Sequence, residues 1–139
     1  VIVLDTNVVS EIVHPRGSRR VIQWFDAQAL PDLHLTAVTV AELGYGVARL
    51  PDGRRRNDLA RRLRIMVDEL FVGRVLPFDQ AAAEGYGPLL ATRDRLGRPI
   101  GPADAQIAAI GTRHGAVLAT RNIRDFEGLG LIVVDPWEV

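Results

Sequence analysis

Three carboxylates stand at positions where a folded chain seldom leaves one unanswered. Asp5 ends the apolar run Val1 to Leu4, Glu42 follows the run Leu33 to Thr36 at the opening of a helix, and Asp104 lies just after Pro102 at the start of another helix. A carboxylate beside a core must be paired, hydrogen-bonded or metal-bound to avoid a large desolvation cost. Each has an ordinary structural role available. Asp5 suits the N-cap of the first helix, Thr39-Val40-Ala41-Glu42 fits a capping box, and Asp104 complements a helix dipole. Taken together, three acids gathered at one edge repel one another. A hard divalent cation relieves that repulsion, and Mg2+ or Mn2+ prefers oxygen ligands of this kind. The chain has no cysteine and three histidines, which argues against zinc and excludes disulfides, thiolate sites and a cysteine nucleophile.

The elements that must position these acids follow from periodicity and punctuation. Val1 to Leu4 reads as a strand buried on both faces. Thr6 to Val13 is helical and is ended by Pro15 and Gly17, and Ser18 opens a second helix reaching about Leu30. Leu33 to Thr36 is a strand, Val40 to Leu50 a helix stopped by Pro51-Asp52-Gly53, and an arginine-rich helix follows with Leu59, Leu63, Met66, Val67 and Leu70 on its apolar face. Val75 to Phe78 is a third strand. Asp79 caps an alanine-rich helix in which Gly85, Gly87 and Pro88 predict a kink or early break. A helix over Ala103 to His114, a strand over Ala116 to Thr120, a short turn or helix over Asn122 to Phe126 and a strand over Leu131 to Val134 complete the chain. Gly44 and Gly46 inside a helix suggest close backbone packing, a dimer contact or a partner's groove.

Five strands alternating with helices predict an α/β fold with a five-stranded, mainly parallel, twisted sheet flanked by helices. In such sheets function collects beyond the carboxyl ends of the strands, where the strand order reverses. Asp5 and Asn122 both belong at that edge.

The 139 residues suit one domain, 1–139, and 47% hydrophobic content supplies a core. No run approaches the roughly 18 apolar residues of a membrane span, so the chain reads as cytoplasmic. Basic and acidic residues number 17 each, and whole-chain charge therefore exerts no pull on nucleic acid. Every basic residue is arginine, whose planar fork suits phosphate.

The segments Val3-Leu4-Asp5-Thr6-Asn7, Thr39-Val40-Ala41-Glu42-Leu43, Pro102 to Ala109 and Ala119 to Phe126 resemble, in order, the signature blocks of PIN domains. The likeness runs from Val1 to Asp135-Pro136-Trp137 and is greatest to VapC toxins of the FitB-like branch. The resemblance implies a single PIN domain with Mg2+-dependent endoribonuclease activity, in which Mn2+ is a substitute metal. It implies the toxin of a bacterial type II toxin–antitoxin pair, a homodimer held inactive by a VapB- or FitA-like antitoxin, with DNA reached only through that antitoxin. By position, Asp5, Glu42 and Asp104 match the metal-binding acids and Thr6 the hydroxyl residue beside the first. FitB-like members often carry Asp where this chain has Asn122, whereas other VapC proteins carry Asn there and Asp three residues later, as Asp125 stands here. Asn122 and Asp125 are thus alternative fourth ligands, and one-metal and two-metal sites both stay open.

Arg121 and Arg124 flank the acidic edge and are candidates for holding RNA phosphate. The cluster Arg54, Arg55, Arg56, Arg61, Arg62 and Arg64 fits a solvated helix face better. Two other functions share this layout of strand-end acids. A phosphotransfer or phosphatase domain is disfavoured because Asp5-Thr6-Asn7 lacks a second aspartate two residues on and the chain has no lysine. A non-catalytic RNA- or protein-binding domain is the other.

Overall fold

The computed structural model describes residues 1–139. Strands β1 (Ile2–Leu4), β2 (Leu33–Thr36), β3 (Val75–Leu76), β4 (Val117–Ala119) and β5 (Ile132–Val134) form one sheet in the order β3-β2-β1-β4-β5, with every neighbouring pair parallel. Helices α1 (Thr6–Val13), α2 (Arg19–Asp26), α3 (Ala37–Ala48), α4 (Arg54–Ile65), α5 (Gln80–Arg95) and α6 (Pro102–Arg113) supply the crossovers that parallel strands require. No helix is long and apolar enough to cross a membrane.

The strands are continuously apolar because both sheet faces are covered. Successive residues of a strand point to opposite sides. Val3 and its register partner Leu118 pack with Leu89 of α5 and with Ile107 and Ala108 of α6, whereas Leu4 and its partner Ala119 pack with Val8, Val9, Val21 and Phe71 on the other face. Trp24 and Phe25 join this second core, with the Phe25 and Phe71 ring centroids 6.4 Å apart. Gly17 closes the turn after α1 by necessity, since a Cβ there would lie 1.8 Å from the Glu11 carbonyl oxygen.

The chain steps outward from β1 to β2 to β3 and then returns through α5 and α6 to lay β4 on the opposite side of β1. The strand order therefore reverses at β1. A reversal of this kind leaves a crevice beyond the carboxyl ends of the strands it separates, here β1 and β4.

Several local expectations are corrected. Helix α3 begins at Ala37 rather than Val40, and its N-cap is Thr36, whose Oγ1 accepts the Thr39 N–H at 3.0 Å. Thr36 ends a strand and keeps the extended backbone (φ −109°, ψ 155°) that an N-cap needs. Thr39 is thus a helical residue, and Glu42 has no capping-box role. Helix α5 runs unbroken through Pro88, because a proline removes one backbone hydrogen bond while the Asp79 cap and the packing of Leu89 against α6 hold the rest. Strand β3 stops at Leu76, where Pro77 offers no N–H to the ladder. Helix α2 ends at Asp26, and a 3-10 turn covers Leu30–Asp32. Gly44 and Gly46 have open space where a Cβ would stand, so neither marks a close contact within the chain.

Thr36 is fully buried and both caps α3 and donates from Oγ1 to the Thr39 hydroxyl. Thr36→Val preserves its shape and removes both bonds. The variant should lose about 1–2 kcal/mol of stability in a urea titration with an unchanged m value. A midpoint equal to that of the parent protein contradicts the capping assignment.

Candidate functional site

Asp5 follows β1 and caps α1, so its side chain is held at the end of a two-sided sheet with only 3% of its surface exposed. Its Oδ1 accepts the Thr6 N–H at 2.8 Å, and its Oδ2 accepts the Thr120 hydroxyl at 2.6 Å and the Asn7 amide at 3.4 Å. Cap and site are one residue here. Burial nonetheless raises the Asp5 pKa above the ordinary value, the Thr120 and Thr6 bonds oppose the rise, and the charges of Glu42 and Asp125 add to it.

Thr120 ends the β4 crossing as Asp5 ends β1. Besides donating to Asp5, its oxygen accepts the Asn122 N–H at 3.0 Å. The backbone of the following turn is thereby registered against the first acid.

Glu42 reaches the crevice from α3. Its Oε1 accepts the Thr6 hydroxyl at 2.6 Å. The Thr6 and Thr39 hydroxyl oxygens lie 3.0 Å apart, and those of Thr39 and Thr36 3.3 Å apart. A hydroxyl has one proton to give. With Thr6 donating to Glu42, Thr39 must donate to Thr6 and Thr36 to Thr39, while Thr36 accepts the Thr39 N–H. Every hydroxyl proton in this chain points towards the carboxylate.

Asp104 occupies the first turn of α6, three residues beyond the Gly101 N-cap. Burial first, and then the charges of Asp5, Asp125 and Glu42, push its pKa up to about 6. Asp5, Glu42, Asp104 and Asp125 are therefore one electrostatic group. None of them forms an ion pair: those of the protein join Arg56 to Asp52, Arg61 and Arg62 to Asp58, and Arg98 to Glu127. The acids feel one another's charge without closing into a shell, since no three acidic or histidine side chains gather at ligand spacing. Four like charges with oxygen donors only, and no arginine among them, are the donor chemistry that suits a hard divalent ion.

The two alternatives for a fourth ligand stand on one short turn. Asn122 contributes its backbone N–H to Thr120 and its carbonyl to the Asp125 N–H, as the N-cap of the 3-10 turn Ile123–Phe126. Asp125, on that turn, supplies the charge that Asp5 and Asp104 feel.

Arg121 lies at the rim with its guanidinium 5.1 Å from the Trp137 ring centroid, and Trp137 is itself held by Arg20 Nη1 donating to its carbonyl at 2.8 Å. Arg124 is exposed. In the arginine-rich helix, Arg56, Arg61 and Arg62 are committed to aspartates, as a solvated face requires. Thr39, Thr120 and Asn7 are site residues that periodicity does not reveal. A polar residue ending an apolar run, the signal that picks out Asp5, also picks out Thr120.

A PIN-domain model matches residues 2–130. The chain is similar to the VapC ribonuclease Y4jK of Sinorhizobium fredii, with 46% identity over 99% of this chain and 98% of that one. It is also 41% identical to the toxin FitB of Neisseria gonorrhoeae, with 98% of each chain covered. A structure of FitAB bound to an IR36 DNA fragment is similar to it with a TM-score of 0.93, 39% identity, and coverage of 100% of this chain and 97% of that one. With the acids at the carboxyl edge of an all-parallel sheet, these likenesses show that the chain belongs to the PIN-domain family, in the branch that holds VapC and FitB.

Proposed function

We propose that this protein is a Mg2+-dependent endoribonuclease and the toxin of a type II toxin–antitoxin pair in the bacterial cytoplasm. A VapB- or FitA-like antitoxin restrains it, it works as a homodimer, and DNA is reached only through the antitoxin. The observation that carries the metal-dependent part is the group of four acids at the sheet's reversal point, with no basic side chain paired to any of them. Relatives named as a ribonuclease and as a toxin support the nuclease and toxin reading, and similarity to a FitAB structure supports a protein partner.

Asp5 and Asp104 are the residues to hold the ion, with Glu42 and Asp125 completing its surroundings. Held there, Mg2+, or Mn2+ in its place, would supply a Lewis acid for water and for the charge developing at a phosphate. The chain's own part is positional. Thr6 and Thr120 hold the Asp5 oxygens, the threonine chain orients Glu42, and Arg121, which lies over the Trp137 ring, meets a phosphate at the rim.

Asp5→Asn and Asp104→Asn should each lower Mg2+-dependent cleavage of single-stranded RNA by on the order of 100-fold or more while circular dichroism stays that of the parent. Full cleavage by either variant in a nuclease-free preparation contradicts the assignment.

The same charges act on stability. The Asp104 carboxyl rises from 3.8 to about 6, so the folded chain binds its proton more tightly than the unfolded chain does. That contribution is complete below the unfolded value and is lost as pH rises through about 6; Asp5 shifts in the same direction. Without metal at about pH 8, Asp104→Asn should therefore melt above the parent protein by roughly 2–5 °C, and the gap should close near pH 4. Millimolar Mg2+ should raise the melting temperature of the parent and not of the variant. A variant that melts below the parent at the higher pH contradicts the assigned repulsion.

A further inference from the structure

Arg93, in the last turn of α5, is 3% exposed although its charge is permanent. No carboxylate lies within ion-pair range of it. Its partners are backbone carbonyls on two separate loops. Nε donates to the Arg98 carbonyl at 2.6 Å, and Nη1 donates to the carbonyls of Asp125 at 2.6 Å and Glu127 at 3.2 Å. Burying an arginine without a counter-ion is costly, and an apolar residue would pack the same space without that cost.

The two loops bear the acids. The first, holding Arg98, leads through Gly101 into the first turn of α6, where Asp104 stands. The second is the 3-10 turn that carries Asp125. Arg98 repeats the connection at the surface, with Nη2 donating to Glu127 Oε2 at 2.7 Å and to the Arg124 carbonyl at 3.5 Å. Asp125 and Asp104 repel, and neither side chain is held by a hydrogen bond to the other's loop. Their separation is set by whatever ties the loops together.

We propose that Arg93 is a positioning residue that ties the loop leading to Asp104 to the turn bearing Asp125, and so fixes where the two acids stand relative to each other. This rests on the metal-dependent function proposed above. Nη1 sets the turn and Nε sets the loop from one rigid, planar group, which a lysine ammonium does not reproduce.

The test is Mn2+ binding to the metal-free protein, followed by electron paramagnetic resonance of the free ion, alongside steady-state cleavage of RNA in Mg2+. Arg93→Met, which keeps the stem and removes the fork, should stay folded and bind Mn2+ about 10-fold more weakly, and kcat should fall by a similar factor with KM for RNA nearly unchanged. Arg93→Lys should recover only part of the loss. In an Asp125→Asn background, Arg93→Met should cost less than about 3-fold more, because the residue it positions is already gone. Should Arg93→Met fail to fold, Arg98→Ala at the exposed half of the junction should weaken Mn2+ in the same direction, and unchanged affinity there overturns the proposal. Equal Mn2+ affinity of the parent and a folded Arg93→Met, or a full additional loss in the Asp125→Asn background, also overturns it. A parent protein that binds no Mn2+ overturns the metal-dependent function along with it.

Discussion

Negative charge without a counter-ion, concentrated where β1 ends, constrains the rest of this molecule. Asp5 is nearly buried and Asp104 partly so; burial raises the pKa of both, the charges of Glu42 and Asp125 add to each, and Asp5 adds to that of Asp104. A fold selected for stability alone would place an arginine among them, and seventeen arginines are available. None is used this way. The repulsion among the acids is therefore not offset by any ion pair of the protein.

The polar residues around the acids respect the same constraint. Thr6, Thr36, Thr39, Thr120 and Asn7 orient carboxylate oxygens through neutral donors, which fix geometry without neutralising charge. The topology makes this economical. Parallel β1 and β4 end side by side, so Asp5 and Thr120 meet across 115 positions of sequence, and α3 and α6 deliver Glu42 and Asp104 to the same crevice. Arg121 stands against Trp137, and Arg93 gives its charge to carbonyls of the loops behind the acids.

Much of this was legible in the sequence because the strands are covered on both faces and so appear as uninterrupted apolar runs, each ended by a polar residue. That signal finds Asp5 and the five strands. It does not choose between Thr36 and Thr39 as the cap of α3, since both are threonines with helix-forming residues after them, and the spacing of Thr39 to Glu42 imitates a capping box. Only the extended backbone at Thr36 separates the two. Pro88 shows the limit in the opposite direction: a local breaker is overridden by packing that lies outside its window. Arg93 was invisible for a different reason. Its partners are carbonyls, which every residue possesses, so nothing in the side-chain pattern marks it. The backbone contacts of Asn122 needed coordinates too, because its N–H meets Thr120 only through the turn that follows β4.

The most direct measurement is the anomalous difference map of a crystal soaked in Mn2+. A peak is expected between the carboxylates of Asp5 and Asp104, with Glu42 and Asp125 turned towards it. A fully soaked crystal that shows no density there, or in which the acids are neutralised by an arginine instead, contradicts it.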